Sequence, residues 1–226
     1  MPTKLEVLQK ILWNTPYSFM SIHKKALSDG RSILDVGCSD GLFLSALIHD
    51  SKNYTIDGID IFAKSLKAAK KRGLYQKLIK GDVVTVCASL IKKKKKYDIV
   101  LCSELIEHLD KKKGERLLKF LEKLARKRII ITTPNGYLEQ QHEHVEKNPY
   151  EFHKSGWELT EFTQRGYQAR GVGFKPIWPH HGIGRSKNRY VFLLANIFSF
   201  ITAPIAYYFP RFSVGIFAVK TFSKKN

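Results

Sequence analysis

The sequence predicts an α/β protein: a mainly parallel sheet covered by helices on both faces. Three observations carry that prediction. Short β-branched runs alternate with helical stretches from Ser32 to Thr133, the order that puts crossover helices between parallel strands. The first run ends in a turn bracketed by Gly37 and Gly41, where glycine lets a ligand approach the backbone closely. Four successive runs end in polar groups, at Asp35, Asp60, Asp82 and Ser103-Glu104. Polar groups repeated at strand ends place a pocket along the carboxyl edge of such a sheet.

The elements follow in order. Thr3 to Glu6 has capping-box spacing, with Leu5, Leu8 and Leu12 at helical intervals. Residues 1–30 therefore read as a helical extension, interrupted around Pro16, ahead of a single domain over 31–226. The pattern predicts strands at 32–36, 54–61, 75–80, 97–102 and 128–133, the last stopped by Pro134. Helices are predicted at 42–49, 63–72, 83–91, 103–109 and 111–127. Gly73 stands where a helix C-cap is needed, and Leu117, Leu118, Leu121 and Leu124 share one face. Residues 134–154 are polar and read as a loop over the pocket, where such folds set substrate choice. A helix over 155–164 capped by Ser155, a strand over 166–177 and a last strand over 213–222 complete the chain.

Composition narrows the classes. The 226 residues are 43% hydrophobic and 12% aromatic, which excludes a disordered chain. Thirty-nine Lys and Arg against 20 Asp and Glu give a formal net charge of +19. A field of that sign favours polyanions: RNA, DNA or an anionic membrane surface. The five lysines of 92–96 read as a solvated turn. Cys38, Cys87 and Cys102 lack CxxC spacing, which argues against a disulfide framework or a cysteine zinc site and for a reducing, cytoplasmic setting. The first ten residues lack the apolar core of a signal peptide.

An apolar insertion at 190–210, before the last strand, contains no charged residue. Its length would just cross a bilayer. However, Asn196, Ser199, Thr202 and Pro204 interrupt it, and strands of one sheet flank it. Two readings stand: a helix partly sunk in a membrane interface on the inner face, with Arg185, Lys187, Arg189 and Arg211 around it, or a core helix forming a dimer or substrate-pocket wall.

The ligand constellation is Ile33-Leu-Asp-Val-Gly-Cys-Ser-Asp-Gly41, followed 19 residues later by Asp60, a carboxylate spaced to hold ribose hydroxyls. The spacing Gly37-x-x-x-Gly41 is not the GxGxxG of a diphosphate-binding loop, which argues against a nicotinamide dehydrogenase. With DGIDI, KGDV and YDIVLCSELIEHL, the chain resembles the class I S-adenosylmethionine-dependent methyltransferases from about Arg31 to Lys220.

The resemblance implies a Rossmann-like seven-stranded sheet with an antiparallel last strand, and S-adenosyl-L-methionine as cofactor. Matched by position, Gly37, Cys38 and Gly41 would pass under the methionine part, with Asp35 behind it. Asp60 would hold the ribose, with Ile61 against the adenine. Asp82 would reach the adenine amino group beside Val83, and the Ser103 carbonyl would face the methionine amino group. Ser39 stands where the family often has glycine.

Glu104, Glu107 and His108 fall at i, i+3 and i+4, one face if 103–109 is helical. Two carboxylates and an imidazole suit a divalent cation such as Mg²⁺, Mn²⁺ or Zn²⁺. They suit equally a metal-free site with His108 as general base, or a helix start whose acids serve only the helix dipole. The ExxEH pattern resembles two branches of the family, quinone-ring O-methyltransferases and small-RNA 3′-end 2′-O-methyltransferases. In the second a downstream histidine completes a metal site. His142, His144 and His153 are candidates, and Glu151-Phe-His-Lys-Ser-Gly-Trp157 resembles the segment that carries it, which favours His153.

Nothing after the fourth strand matches the Asn/Asp-Pro-Pro-Tyr run of base N-methyltransferases. The implied reaction is O-methylation of a small-molecule, glycan or lipid-linked acceptor, since methyltransferases of surface-glycan and lipid assembly look similar in the C-terminal third. RNA ribose methylation is the enzymatic rival. A cofactor-binding but inactive subunit is the rival from another class. Oligomeric state is left open.

Overall fold

The computed structural model describes residues 14–48, 51–139, 148–177 and 189–222. The helix expected over the first dozen residues, and His142 and His144, lie outside them. The elements in chain order are α1 (Phe19–Leu27), β1 (Ser32–Val36), α2 (Leu42–Leu47), β2 (Thr55–Asp60), α3 (Ala63–Arg72) and β3 (Lys77–Lys80). Then come α4 (Val83–Lys92), β4 (Tyr97–Ser103), α5 (Lys111–Leu124) and β5 (Ala125–Pro134). Last are α6 (Leu159–Thr163), β6 (Gln168–Phe174), α7 (Arg189–Ile201), α8 (Ala203–Tyr208) and β7 (Ser213–Thr221).

The seven strands form one sheet in the order β3-β2-β1-β4-β5-β7-β6. β1 to β5 are parallel, and β7 runs antiparallel to both β5 and β6. The order reverses between β1 and β4, so the connections leaving their carboxyl ends run to opposite faces of the sheet and leave a crevice there. This is the predicted fold.

Each face carries its own core. On one, α4 and α5 pack Val84, Cys87, Leu117 and Leu121 against Val100 and Ile129. On the other, α1 and α2 pack Met20, Leu27 and Leu44 against Ile33, Ile99 and Ile130. Alternate strand residues point to opposite faces, which is why Ile99, Leu101 and Val100, Cys102 divide between the two cores. All three cysteines are free and buried. The lysines of 92–96 are exposed where α4 turns into β4.

Local chemistry fixes the ends. Ser18 caps α1 by accepting the Ser21 N–H, and Asp82 caps α4 by accepting the Thr85 N–H at 3.0 Å. Gly73 ends α3 in the left-handed region at φ +67°. Within α1, His23 lies among Phe19, Phe43 and Phe217. Its Nδ1 donates to the Phe19 carbonyl at 2.6 Å, and burial pushes its pKa down to about 4.

Three expectations are corrected. Residues 103–109 are not a helix: β4 runs to Ser103, Glu104 turns with φ +48°, and only Ile106–His108 form a 3-10 turn. Glu104, Glu107 and His108 therefore do not share a helical face. The helix expected from 155 begins at Leu159, capped by Glu158 through a reciprocal pair with Glu161; Ser155 is occupied elsewhere. The apolar insertion is two helices, α7 and α8, rather than one.

Candidate functional site

A cavity of about 220 Å³ opens at the carboxyl ends of β1, β2, β3 and β4. Gly37, Ser39, Asp60, Ile61, Asp82, Val83 and Glu104 line it from the strand side. Asp35, Cys38, Gly41 and Ser103, also expected here, are not in its lining.

The loop after β1 explains the division. Gly37 and Cys38 both donate their N–H groups to the Ile59 carbonyl, at 2.8 and 2.9 Å, which draws the loop over the end of β2. Gly37 and Gly41 sit at φ +78° and +75°, and a Cβ on Gly41 would run into the ring of Tyr75. The Tyr75 hydroxyl in turn donates to Asp35 at 2.7 Å. Asp35 is thus the buried support of the loop. Burial, opposed by this hydrogen bond, raises its pKa to about 7. Asp60 locks the two loops together, accepting Ser39 N–H at 2.8 Å and Phe62 N–H at 2.7 Å. Ser39 and Glu104 are two non-glycine residues held at positive φ on this one cavity, and such strain persists only where its surroundings enforce it.

Beyond β4 the wall changes character. Glu104 is exposed to the cavity, and desolvation by the crevice around it raises its carboxyl pKa. Glu107 is almost wholly buried and accepts a hydrogen bond from Thr133 of β5 at 3.0 Å. Burial first, then the Glu104 charge, holds its carboxyl well above the usual range. His108 Nε2 lies 3.9 Å from Glu107 Oε1. Burial and the neighbouring His153 lower the His108 pKa to about 4, so its ring is neutral at neutral pH. Among the described residues no hydrogen-bond partner meets its buried Nδ1, while the Phe152 and Glu151 backbone near the ring partly offsets the lowering.

His153 arrives from the chain before α6. Its ring centroid is 4.9 Å from that of His108, and its Nδ1 contacts the Leu138 carbonyl at 2.7 Å. A carbonyl only accepts, so Nδ1 carries the proton and in the neutral ring Nε2 keeps the lone pair. The segment is pinned by Lys154 and Ser155 N–H groups donating to the Glu107 carbonyl. Ser155 Oγ donates to the Leu109 carbonyl at 2.8 Å and accepts the Trp157 indole N–H at 3.1 Å.

One ligand atom each from Glu107, His108 and His153 lie within 4.8 Å of one another, a set able to hold a metal ion. Among the described residues Glu104 is not part of that set.

Sequence reading missed part of the site. Leu105, Leu109 and Lys113 line the cavity, and Asn148, Tyr150, Glu151 and Lys154 close over it. Tyr150 stacks loosely on Phe62 across the opening, at 6.3 Å between ring centroids. Lys154 stood next to a flagged histidine and was findable. Tyr75 and Thr133, whose roles depend on contacts 40 and 26 residues away, carried no local signal.

A family model described as "Methyltransferase domain" matches residues 34–128, the stretch that holds the loop, Asp60, Asp82 and β4. Over that stretch the chain is similar to S-adenosylmethionine-dependent methyltransferases. It is 37% identical over 81 residues to the ubiquinone biosynthesis O-methyltransferase of Bordetella avium, covering 35% of this chain and 33% of that protein. The chain thus matches about a third of the length of such curated relatives.

Among solved structures, the methyltransferase domain of bacterial CtHen1 superposes with a TM-score of 0.54 at 20% identity, over 93% of this chain and 100% of that one. The plantazolicin methyltransferase BpumL, solved with SAH, gives 0.55 at 20% identity over 95% and 84%. At these identities the superpositions show the shared fold.

Proposed function

We propose that this methyltransferase binds S-adenosylmethionine in the cavity at the carboxyl edge and methylates an oxygen of an acceptor seated beside Glu107, His108 and His153. The carrying observation is the continuity of the two parts: one cavity is lined by Asp60 and Asp82 at one end and by Glu104 and His108 at the other.

The cofactor supplies an electrophilic methyl on a sulfonium. The chain does the rest. The Gly37–Gly41 loop presents backbone close to the ligand, and Asp60, already fixed by two N–H groups, offers its remaining lone pairs to the ribose hydroxyls. Asp82 would hold the adenine amino group, with Ile61 and Val83 beside the ring. Asp35 sits behind the loop as a carboxyl whose ionised form a cationic ligand favours. The segment 148–154 covers the opening and keeps water from the reacting centre. His108, neutral at neutral pH, holds a lone pair toward the acceptor and takes the proton that leaves the oxygen.

A second reading has its own observation in the clustered ligand atoms of Glu107, His108 and His153. The donor set fits a divalent cation: a buried ring nitrogen on His108, a carboxylate that burial and the Glu104 charge disfavour, and a second imidazole oriented by a backbone carbonyl. Such a cation would supply Lewis acidity that lowers the pKa of the acceptor oxygen. The magnitude favours this reading for an alcohol acceptor, since an imidazole of pKa about 4 is a weak base for an alcohol.

The acceptor is a small molecule by analogy with the O-methyltransferase relatives, free, glycan- or lipid-borne. RNA ribose methylation rests on the +19 net charge and on the ExxEH resemblance with its downstream His153.

The test is labelled methyl transfer to total lipid, small-molecule and small-RNA extracts, with and without a chelator. His108→Ala is expected to lower transfer about 10²–10⁴-fold while leaving the cofactor Kd, read by titration calorimetry, unchanged. Unchanged transfer removes His108 from the site. Loss of cofactor binding would assign it to the cofactor end instead.

A further inference from the structure

We infer that the outer face of α7 and α8 is a docking surface for an anionic lipid bilayer, into whose interface its large apolar side chains insert.

The pair has inverted amphipathicity. Its small residues face the protein: Ala195, Ser199, Ala203 and Ala206 are buried, the last completely. Ala206 presses so closely on β6 that its carbonyl leaves no room for a side chain at Gly171. Its large apolar residues face outward: Tyr190, Leu194, Phe198, Ile201, Ile205 and Tyr208 are exposed, Tyr190 by 71% and Ile201 by 64%. The spacing of four, four, three, four and three is that of one helical face. The bonds Thr202 N–H to Phe198 O and Ala206 N–H to Thr202 O carry the turn from one helix into the next, so the stripe is continuous. A helix covering a core in water has the opposite arrangement, and contiguous exposed apolar surface of this kind marks an interaction site.

Charge selects the occupant. After Glu161 the chain carries ten Lys and Arg and no Asp or Glu. Arg170, Lys175 and Arg211 are exposed beside the stripe. Arg170 lies 5.6 Å from the Tyr207 ring, Arg211 lies 4.6 Å from the Phe212 ring, and the Lys175 N–H bonds the Phe212 carbonyl. Among the described residues none of the three pairs with an acid. A second copy docked across a two-fold axis would set these cations against themselves, whereas an anionic bilayer complements both stripe and border.

Tyrosines at both ends of the stripe suit the headgroup level. No described helix is long and apolar enough to cross a membrane, and helices of 13 and 6 residues, α7 and α8, suit insertion parallel to the surface. The stripe's end is tied to the site's edge of the sheet: Asn135, directly after β5, donates to the Pro210 carbonyl at 2.9 Å.

The experiment is flotation of the full chain with phosphatidylglycerol–phosphatidylcholine vesicles and with pure phosphatidylcholine vesicles, at low and high salt, alongside light scattering. Binding is expected to the anionic vesicles only, weakening with salt. The doubly substituted Phe198→Glu, Ile201→Glu protein should partition about tenfold or more weakly with an unchanged thermal transition, because both side chains point into solvent. Lys175→Glu with Arg211→Glu, which leaves the stripe intact, should abolish the preference for anionic lipid. Wild-type protein that stays below the vesicles at low salt overturns the inference. So does equal binding by both double variants, and so does a dimer that Phe198→Glu, Ile201→Glu dissociates without any vesicle binding.

Discussion

The two ends of the cavity are built differently. At the cofactor end, the polar groups sit at strand termini and are oriented largely by their own neighbours in the chain: Asp60 accepts the N–H two residues on as well as that of Ser39, Asp82 caps the helix that follows it, and Gly37 and Gly41 shape one short loop; Asp35, held by Tyr75 40 residues on, is the exception. At the acceptor end, no group is oriented locally. Glu107 is held by Thr133, and its backbone carbonyl is bonded by Lys154 and Ser155. His153 is set by Leu138. The first end is a property of a fold, which many chains share. The second is an assembly of four chain segments, and it can vary without disturbing the first. Cofactor binding and acceptor choice are therefore expected to separate under mutation.

The sharpest test of that separation starts at the cofactor end. Asp60→Ala removes a carboxylate that joins the β1 and β2 loops and faces the cavity. Hydrogen bonds to a charged group contribute about 1.5–3 kcal/mol, so the cofactor Kd should rise about tenfold to 150-fold in calorimetry. Turnover at saturating cofactor should stay within a few-fold. A collapse of turnover at saturation would show that the two ends are coupled after all.

The matching substitution at the other end is Ser155→Ala. It strips the Trp157 indole N–H of its buried acceptor and frees the Leu109 carbonyl, at a cost of about 1–3 kcal/mol in stability, read from the denaturation midpoint. Methyl transfer should fall because the His153 segment loses an anchor, while the cofactor Kd holds. Ser155→Thr, which keeps the hydroxyl, should restore most of the activity; failure of that rescue would point to packing rather than the hydrogen bond.

The same contrast explains what could be read from the chain. The alternation of strands and helices and the strand-end residues that line the cavity were legible because local periodicity and strand-end chemistry specify them. Gly73 could be placed as a cap for the same reason. The i, i+3, i+4 geometry assigned to Glu104, Glu107 and His108 did not hold, because the backbone turns through positive φ at Glu104 and bonds its N–H to the Thr132 carbonyl of β5, a partner 28 residues away. Ser155 looked like a helix cap from its neighbours, yet a turn 46 residues earlier claims its hydroxyl. The inverted face of α7 and α8 was also hidden: hydropathy reports how apolar a segment is, but only β6 decides which side it buries.

The smallest effect is also the most local probe of the cofactor end. Asp35 ionises near pH 7 in the unliganded protein because burial penalises its carboxylate. A group raised in this way lowers folding stability as pH rises from its unfolded value, 3.8, to about 7. A ligand carrying positive charge favours the carboxylate, lowers that pKa and expels a proton. Between pH 6 and 7 S-adenosylmethionine binding should therefore release a fraction of one proton, seen as a calorimetric enthalpy that changes with the buffer's ionisation heat. The release should shrink by about pH 8.5, where Asp35 is already ionised, and should vanish in Asp35→Asn, whose amide oxygen still accepts from Tyr75. The neutral-sulfur product S-adenosylhomocysteine should release less than the sulfonium cofactor. Equal release by the two ligands would mean that Asp35 answers to the shared amino group rather than to the sulfonium, and would move its partner from the reacting centre to the methionine tail.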